Sequence, residues 1–239
     1  MSNAPSTIKY LSLKVLKDPI ALLEIYHDLE HDYYWSDDFS AEFYIAQAKA
    51  GFIAATETFG KNEILLPELQ RSYAILDFDN LHIERNVKRL IKSRDLKIEI
   101  SVDLKDAFLG INNYHKNSWL TYKYLDTLNR VNAKGKKYFR VISVLIRDEE
   151  SKVPIAGEIG YIIKKTYTSL SGFSSKEKYF RNYGKAQMVL LANYLKDRGF
   201  EFWNLGHPYM EYKFALGAKR VDRITFLQRW LKAMKRKTY

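Results

Sequence analysis

The chain has no cysteine among its 239 residues. That excludes disulfides, a thiolate nucleophile and any cysteine-held metal, and it suits a reducing compartment. Proline and glycine are sparse, at 5 and 11, so no flexible linker announces itself and any domain border must be tight. No uninterrupted apolar run approaches the roughly 20 residues that a membrane span requires. The opening MSNAPSTIKY lacks the apolar stretch of a secretory leader. The cytoplasm is therefore the expected location, and no membrane partner is expected. There is no G-x-S-x-G elbow, no P-loop and no dinucleotide fingerprint in its required context, which disfavours covalent nucleophilic catalysis. His27 and His31 stand four apart around Glu30, but HDLEH is not H-E-x-x-H and no third ligand is evident. No metal site is expected.

What is present is ample material for a core, with 46% hydrophobic and 15% aromatic residues, and a strong excess of positive charge. The 39 Lys and Arg against 28 Asp and Glu give a net charge of +11. Such an excess concentrates phosphate-rich partners at the surface.

Along the chain, Asp18-Pro19 predicts a helix start, with Asp as N-cap and Pro at the first helical position, running to about Leu29. Ser40 opens a second helix that Gly51 closes. Short strands are expected near 52–57, 63–66 and 73–78. Residues 83–92 form an amphipathic helix, with Ile83, Val87, Leu90 and Ile91 on one side and Arg85, Lys88, Arg89 and Lys92 on the other. Four cations on one helix face suit the tracking of a phosphate backbone. Arg94, Lys134, Lys136, Lys137 and the tail (Arg229, Lys232, Lys235, Arg236, Lys237) add to that ground. Trp119 lies at a loop-to-helix junction, NSWLT, where a ring can stack on a base.

A strand at 96–101 and helices at 103–116 and 121–133 lead into three consecutive strands, 138–148, 154–165 and 166–173. A helix at 184–198, a strand at 200–205, a short helix at 209–216 and a last helix at 222–236 complete the reading. Three antiparallel strands, a helix, a strand and a helix is the order of an N-acetyltransferase (GNAT-like) core. The expected fold class is α/β (α+β): a mixed, mostly antiparallel sheet flanked by helices, with a small N-terminal lobe at 1–80 and the acyltransferase-type domain at 81–239. In such a core two neighbouring strands splay, and the gap admits the acyl donor and the amine. Between the third strand and the helix, Arg181-Asn182-Tyr183-Gly184-Lys185-Ala186 matches the loop with which GNAT enzymes hold a pyrophosphate. The same residues are also an ordinary helix start, so CoA-dependent acyl transfer, with acetyl-CoA or another acyl-CoA, stays open as an alternative.

Several segments in order resemble the leucyl/phenylalanyl-tRNA–protein transferases: WSDDFSAEFYIAQAKAGFIA (35–54), LHIERNVKRLIK (81–92), NSWLT (117–121), AGEIGYI (156–162), SLSGFSS (169–175) and ALGA (215–218). The resemblance runs from about Trp35 to Gln228. It implies aminoacyl-tRNA as donor, the N-terminal amine of a protein as acceptor, and no required cofactor. It also carries departures. The family's glutamate in the SLSGFS segment falls on Leu170, and the aspartate and glutamine of a later strand fall on Asn204 and Gly206. A basic acceptor, which wants a carboxylate, is accordingly not expected. Loss of those groups also leaves room for a tRNA-binding protein without catalysis. Within this frame Glu158 is a candidate base, Asn204 a polarising or orienting group, and Ser171 a donor to the ester oxygen. Tyr209 or Tyr212 is a candidate acid. Trp119, Gly172, Phe173 and Ser174 would border the substrate, with Gly172 enlarging the pocket where the family has methionine. Arg181, Gly184 and Lys185 would join the four helix cations in holding phosphate.

Overall fold

Side-chain caps start the N-terminal helices. The computed structural model describes residues 8–235, so the expected cations Arg236 and Lys237 lie outside the described residues. Two residues, β1 (Lys9–Tyr10), precede α1 (Leu13–Lys17), whose first turn is capped by Ser12 accepting from the Val15 amide. Asp18 accepts from the Ile20 and Ala21 amides at the head of α2 (Pro19–His27), and Ser40 from the Phe43 amide at the head of α3 (Ala41–Lys49). Each cap satisfies amides that a first turn leaves unpaired. The five-residue α1 was not expected, being too short to display a period.

β2 (Tyr34–Trp35) pairs with β1, and β3 (Ile53–Phe59) with β4 (Asn62–Glu68) forms a separate hairpin turning at Gly60. The main sheet then takes β5 (Ser72–Leu76), β6 (Glu99–Ser101), β7 (Phe139–Arg147), β8 (Pro154–Ile163), β9 (Thr166–Ser174), β10 (Phe202–Asn204) and β11 (Lys219–Asp222). Their spatial order is β11-β5-β10-β9-β8-β7-β6. Within this sheet, among the described residues, only β9 and β10 pair in parallel, and the crossover between them is α7 (Tyr183–Asp197). The mixed, mostly antiparallel sheet with flanking helices is the fold class the sequence predicts. The remaining helices are α4 (Arg85–Ser93), α5 (Lys105–Tyr114), α6 (Tyr122–Ala133), α8 (Glu211–Ala215) and α9 (Arg223–Lys235).

The sheet is buried on both faces, as β7 makes plain. Phe139, Val141 and Leu145 join one apolar cluster, while Ile142, Val144 and Ile146 join another that includes α7 and Val87 of α4. β5, which the sequence reading placed in the N-terminal lobe, is inserted between β10 and β11. Tyr73 on β5 stacks on Phe226 of α9 at 3.8 Å between centroids. The sheet thus crosses the expected border at residue 80.

Two local features position the cavity described next. The β9–β10 pairing ends at Thr168 and Asn204, yet β9 runs on to Ser174 paired only with β8. From that point the two strands part. Gly217, with φ +106°, lets the chain after α8 press against residues 80–82, where the His82 amide donates to the Leu216 carbonyl at 2.9 Å. A Cβ at Gly217 would sit 1.9 Å from the Asn80 carbonyl oxygen.

Candidate active site

Where β9 and β10 part, a cavity of about 750 Å³ opens. Its walls come from β3 and β4, the Tyr114–Trp119 loop, β8, β9, the first turns of α7 and the segment from Leu205 to Lys213. Among the residues nominated from sequence, Trp119, Glu158, Ser171, Gly172, Phe173, Ser174, Gly184, Lys185 and Tyr212 line it.

Glu158 is a buried carboxylate lining this cavity, 4% exposed. One oxygen accepts from the Tyr167 and Ser169 hydroxyls, both at 2.8 Å, and the other faces Gln187 Nε2 at 3.4 Å. Ser169 in turn accepts from the Trp203 indole N–H at 2.8 Å. Burial pushes the Glu158 carboxyl up from its ordinary value, against the pull of those hydrogen bonds and of Lys213. Gly172 stands opposite Glu158 across the β8–β9 pair, and a Cβ there would come within 3.0 Å of the Gly157 carbonyl oxygen.

The ring of Trp119 is half-buried and meets Tyr124 edge-on at 5.2 Å. Leu170 and Phe173 complete an apolar wall with it. Tyr212 keeps its proton over the whole neutral range, because burial and then the Glu158 charge raise its hydroxyl to about 12.

Other nominated residues stand elsewhere. Asn204 is buried and its side-chain oxygen accepts from the Gly206 amide at 2.9 Å, closing a turn and not lining the cavity. Tyr209 is 77% exposed, stacked on His207 and outside the cavity lining. Gly184 and Lys185 sit in the first turn of α7 beside the cavity, and the Lys185 ammonium is paired with Glu84 at 2.5 Å. Arg181 is exposed on the preceding turn. Arg229 is likewise held by Asp77 and lies over the Phe202 ring.

Arg85, Lys88, Arg89 and Lys92 are all exposed on α4, and α4 packs on α7 through Val87. The basic face therefore lies beside the helix whose first turn borders the cavity. A role for this face in holding a nucleic-acid backbone predicts that neutralising all four reduces the salt slope of RNA binding by about 3 and weakens binding by roughly two to three decades at 0.1 M salt. A filter-binding titration across salt concentrations measures both; an unchanged slope would remove α4 from the interface.

The cavity residues that sequence reading did not nominate include Glu68, Gln70, His207 and Lys213. Lys213 is 6% exposed, and its ammonium donates to the Leu205 and His207 carbonyls at 2.6 and 2.8 Å. Burial lowers its pKa to about 8, opposed by Glu158. Glu68 accepts from His207 Nε2 at 2.9 Å. The available signal was weak, consisting of polar residues just past the ends of two strands.

A sheet that splits over a buried carboxylate, with an apolar wall and a helix N-terminus at its edge, defines the acyltransferase class. The leucyl/phenylalanyl-tRNA protein transferase family model matches residues 75–231. The chain belongs to that family of aminoacyltransferases. No curated protein sequence gives a significant match. Among solved structures, the chain is similar to a C-terminal domain assigned to a lysylphosphatidylglycerol synthetase of Agrobacterium fabrum, at 16% identity and TM-score 0.46, covering 74% of this chain and 62% of that one. L-PGS from Bacillus licheniformis follows at 12% identity and TM-score 0.43, covering 69% and 49%. FemX follows at 12% identity and TM-score 0.48, covering 94% and 81%. The chain thus spans less than two thirds of the length of the first two. Among the described residues no helix is long and apolar enough to cross a membrane.

Proposed function

We propose that this protein transfers an aminoacyl group, of the leucyl or phenylalanyl type, from charged tRNA to the N-terminal amine of a protein. The observation that carries the proposal is the buried Glu158 carboxylate lining the cavity where β9 and β10 part. Family membership supplies the reaction type, and the exposed cations of α4 beside α7 supply ground for the tRNA.

In this reading the aminoacyl ester enters with its side chain against Trp119, Leu170 and Phe173. The acceptor nitrogen forms a bond to the ester carbonyl carbon, and the bond from that carbon to the ribose oxygen breaks. Glu158 takes the proton that the amine loses, and Tyr212 gives one to the departing ribose oxygen. Glu158 then returns its proton to the Tyr212 oxygen, restoring both groups, so that the net result is one proton moved from amine to ribose hydroxyl. Lys213 has three N–H bonds and commits two to backbone carbonyls, leaving a third for the oxyanion that develops on the carbonyl. The ester is already activated, and an α-amine of pKa about 7.7–8 is partly neutral unaided. Alignment of the two reactants therefore carries much of the work. Ser171, which lines the cavity, is the further donor to the ester oxygen.

The test is transfer from a full set of charged tRNAs to a panel of peptides with free N-termini. Turnover with leucyl- or phenylalanyl-tRNA is the expected result. Binding of charged tRNA without turnover would leave a tRNA-binding protein. A rise in melting temperature with acetyl-CoA alone, lost in Gly184→Asp, would favour the CoA-dependent reading instead.

A further inference from the structure

Two lysines among the described residues line the cavity, Lys185 and Lys213, and they are held differently. Lys185 is half-exposed and ion-paired with Glu84. Lys213 on α8 is buried, and its nitrogen donates to the Leu205 and His207 carbonyls at 2.6 and 2.8 Å. Both acceptors are backbone oxygens of one short segment, so they fix the direction of the nitrogen. As an ammonium it has three N–H bonds, and the third is the oxyanion donor of the scheme above. As a neutral amine it has two N–H bonds and a lone pair. With both N–H bonds held by carbonyls, the lone pair takes the tetrahedral direction that the third N–H had. The charged form is an oxyanion donor, and the neutral form is a nucleophile aimed at the same ester carbonyl.

Burial makes the neutral form accessible. It brings the Lys213 amine down to about 8, level with the roughly 7.7–8 of an acceptor α-amine. Among the other titratable groups lining the cavity, Glu158 and Glu68 favour the ammonium, whereas His115, His207 and Lys185 favour the amine whenever they are charged. Tyr212 keeps its proton. A desolvated lysine is an effective nucleophile toward a carbonyl carbon. Lys213 differs from the acceptor peptide chiefly in being in place already, since a peptide must arrive from solution.

We propose that Lys213 is a self-acylation site: when no acceptor peptide fills the cavity, its side-chain nitrogen takes the aminoacyl group from the donor ester. This rests on the transfer reading for its donor. The nitrogen lone pair forms a bond to the ester carbonyl carbon, and the bond from that carbon to the ribose oxygen breaks. The nitrogen loses one proton to Glu158, the ribose oxygen gains one from Tyr212, and Glu158 then restores Tyr212. The products are an amide on Lys213 and a tRNA with a free ribose hydroxyl. The amide nitrogen keeps one N–H and so holds only one of its two carbonyls. It has no charge to offer an oxyanion and no basic lone pair to attack again. An amide is far harder to cleave than an ester, so the acylated chain is switched off. Activity is thereby tied to the supply of acceptor.

The experiment incubates the full-length protein with labelled leucyl- or phenylalanyl-tRNA and no peptide, and separately with phenylalanine p-nitrophenyl ester, an activated ester that needs no tRNA. Peptide mapping by mass spectrometry on the native protein locates the added mass, so the result does not depend on a variant folding. The expected product is a single aminoacyl group on Lys213, resistant to hydroxylamine as an amide is. Its rate of formation from the nitrophenyl ester should rise about 25-fold between pH 6.5 and 8.5, the gain in neutral fraction of an amine with a pKa of about 8. Excess acceptor peptide should suppress labelling by charged tRNA. Lys213→Arg should lose the label and Lys185→Arg should keep it. Label confined to exposed lysines or the N-terminus, label that hydroxylamine removes, or label that peptide does not suppress overturns the proposal. Peptide product with Lys213 unlabelled overturns self-acylation and leaves the transfer reading standing. Label on Lys213 from the nitrophenyl ester but from neither charged tRNA keeps the nucleophile and removes the tRNA donor.

Discussion

Glu158→Gln is expected to lower kcat/KM for transfer by about 100- to 10,000-fold, the range that a positioned general base contributes, with tRNA binding unchanged. The substitution keeps the shape and one oxygen, so the Tyr167 and Ser169 hydroxyls retain their acceptor. What it removes is the capacity to take a proton, together with the oxygen that Gln187 Nε2 faces. Stability separates this from a structural effect, and the sign follows from the raised carboxyl pKa. A carboxyl that holds its proton more tightly when folded contributes stability below its unfolded value of about 4.3, and loses that contribution as pH rises through the folded value. Ionising this carboxyl as pH rises therefore costs the native protein the desolvation of a buried charge. Losing the attraction to Lys213 offsets part of the relief, but burial is the larger effect on this carboxyl. The variant should melt at or above the native temperature at pH 7, and the difference should shrink toward pH 4. Thermal scans at both values check this. A variant that is as active as the native protein would take Glu158 out of the chemistry, and one that melts far lower would make it a structural residue.

Gly217→Ala should be among the most damaging single changes outside the cavity. The new Cβ would meet the Asn80 carbonyl oxygen at 1.9 Å, and φ +106° is a conformation that side-chain-bearing residues rarely adopt. Neither problem can be relieved by rotating a side chain, because both involve backbone. Overpacking and backbone strain together cost about 3 kcal/mol or more. For a domain of this size that lowers the melting temperature by roughly 6–12 °C. Gly199→Ala is the control, since Gly199 also has positive φ but nothing lies within 4 Å of an added Cβ. It should cost only about 1–2 kcal/mol. The seam at Gly217 also places the segment that leads into α4, so the Gly217 variant should weaken RNA binding beyond what its stability loss explains. Equal melting temperatures for the two variants would refute the close-approach argument.

The chain order of three strands, helix, strand and helix was legible because strand and helix periods are local properties of residues 138–236. So were the helix starts, since Asp18 and Ser40 cap amides two or three residues away. Family membership was legible too, through segments whose order survives even though individual residues have changed. Four elements escaped: α1, β1, β2 and β11 are too short for a period to show.

The sequence alone thus determined the fold class, the strand whose partner must part from it, and the nomination of Glu158. Tertiary structure decided which groups of the same chemical type are available. Lys185 and Arg229 are cations in sequence, yet Glu84 and Asp77, 101 and 152 residues distant, pair with them. Asn204 lies at the branch point, but its side chain closes a local turn. Glu68 meets His207 from across 139 positions, and only folding makes them neighbours. Charge, burial and direction at a site are sums over partners remote in the chain, so local sequence can name the residue types but not their state.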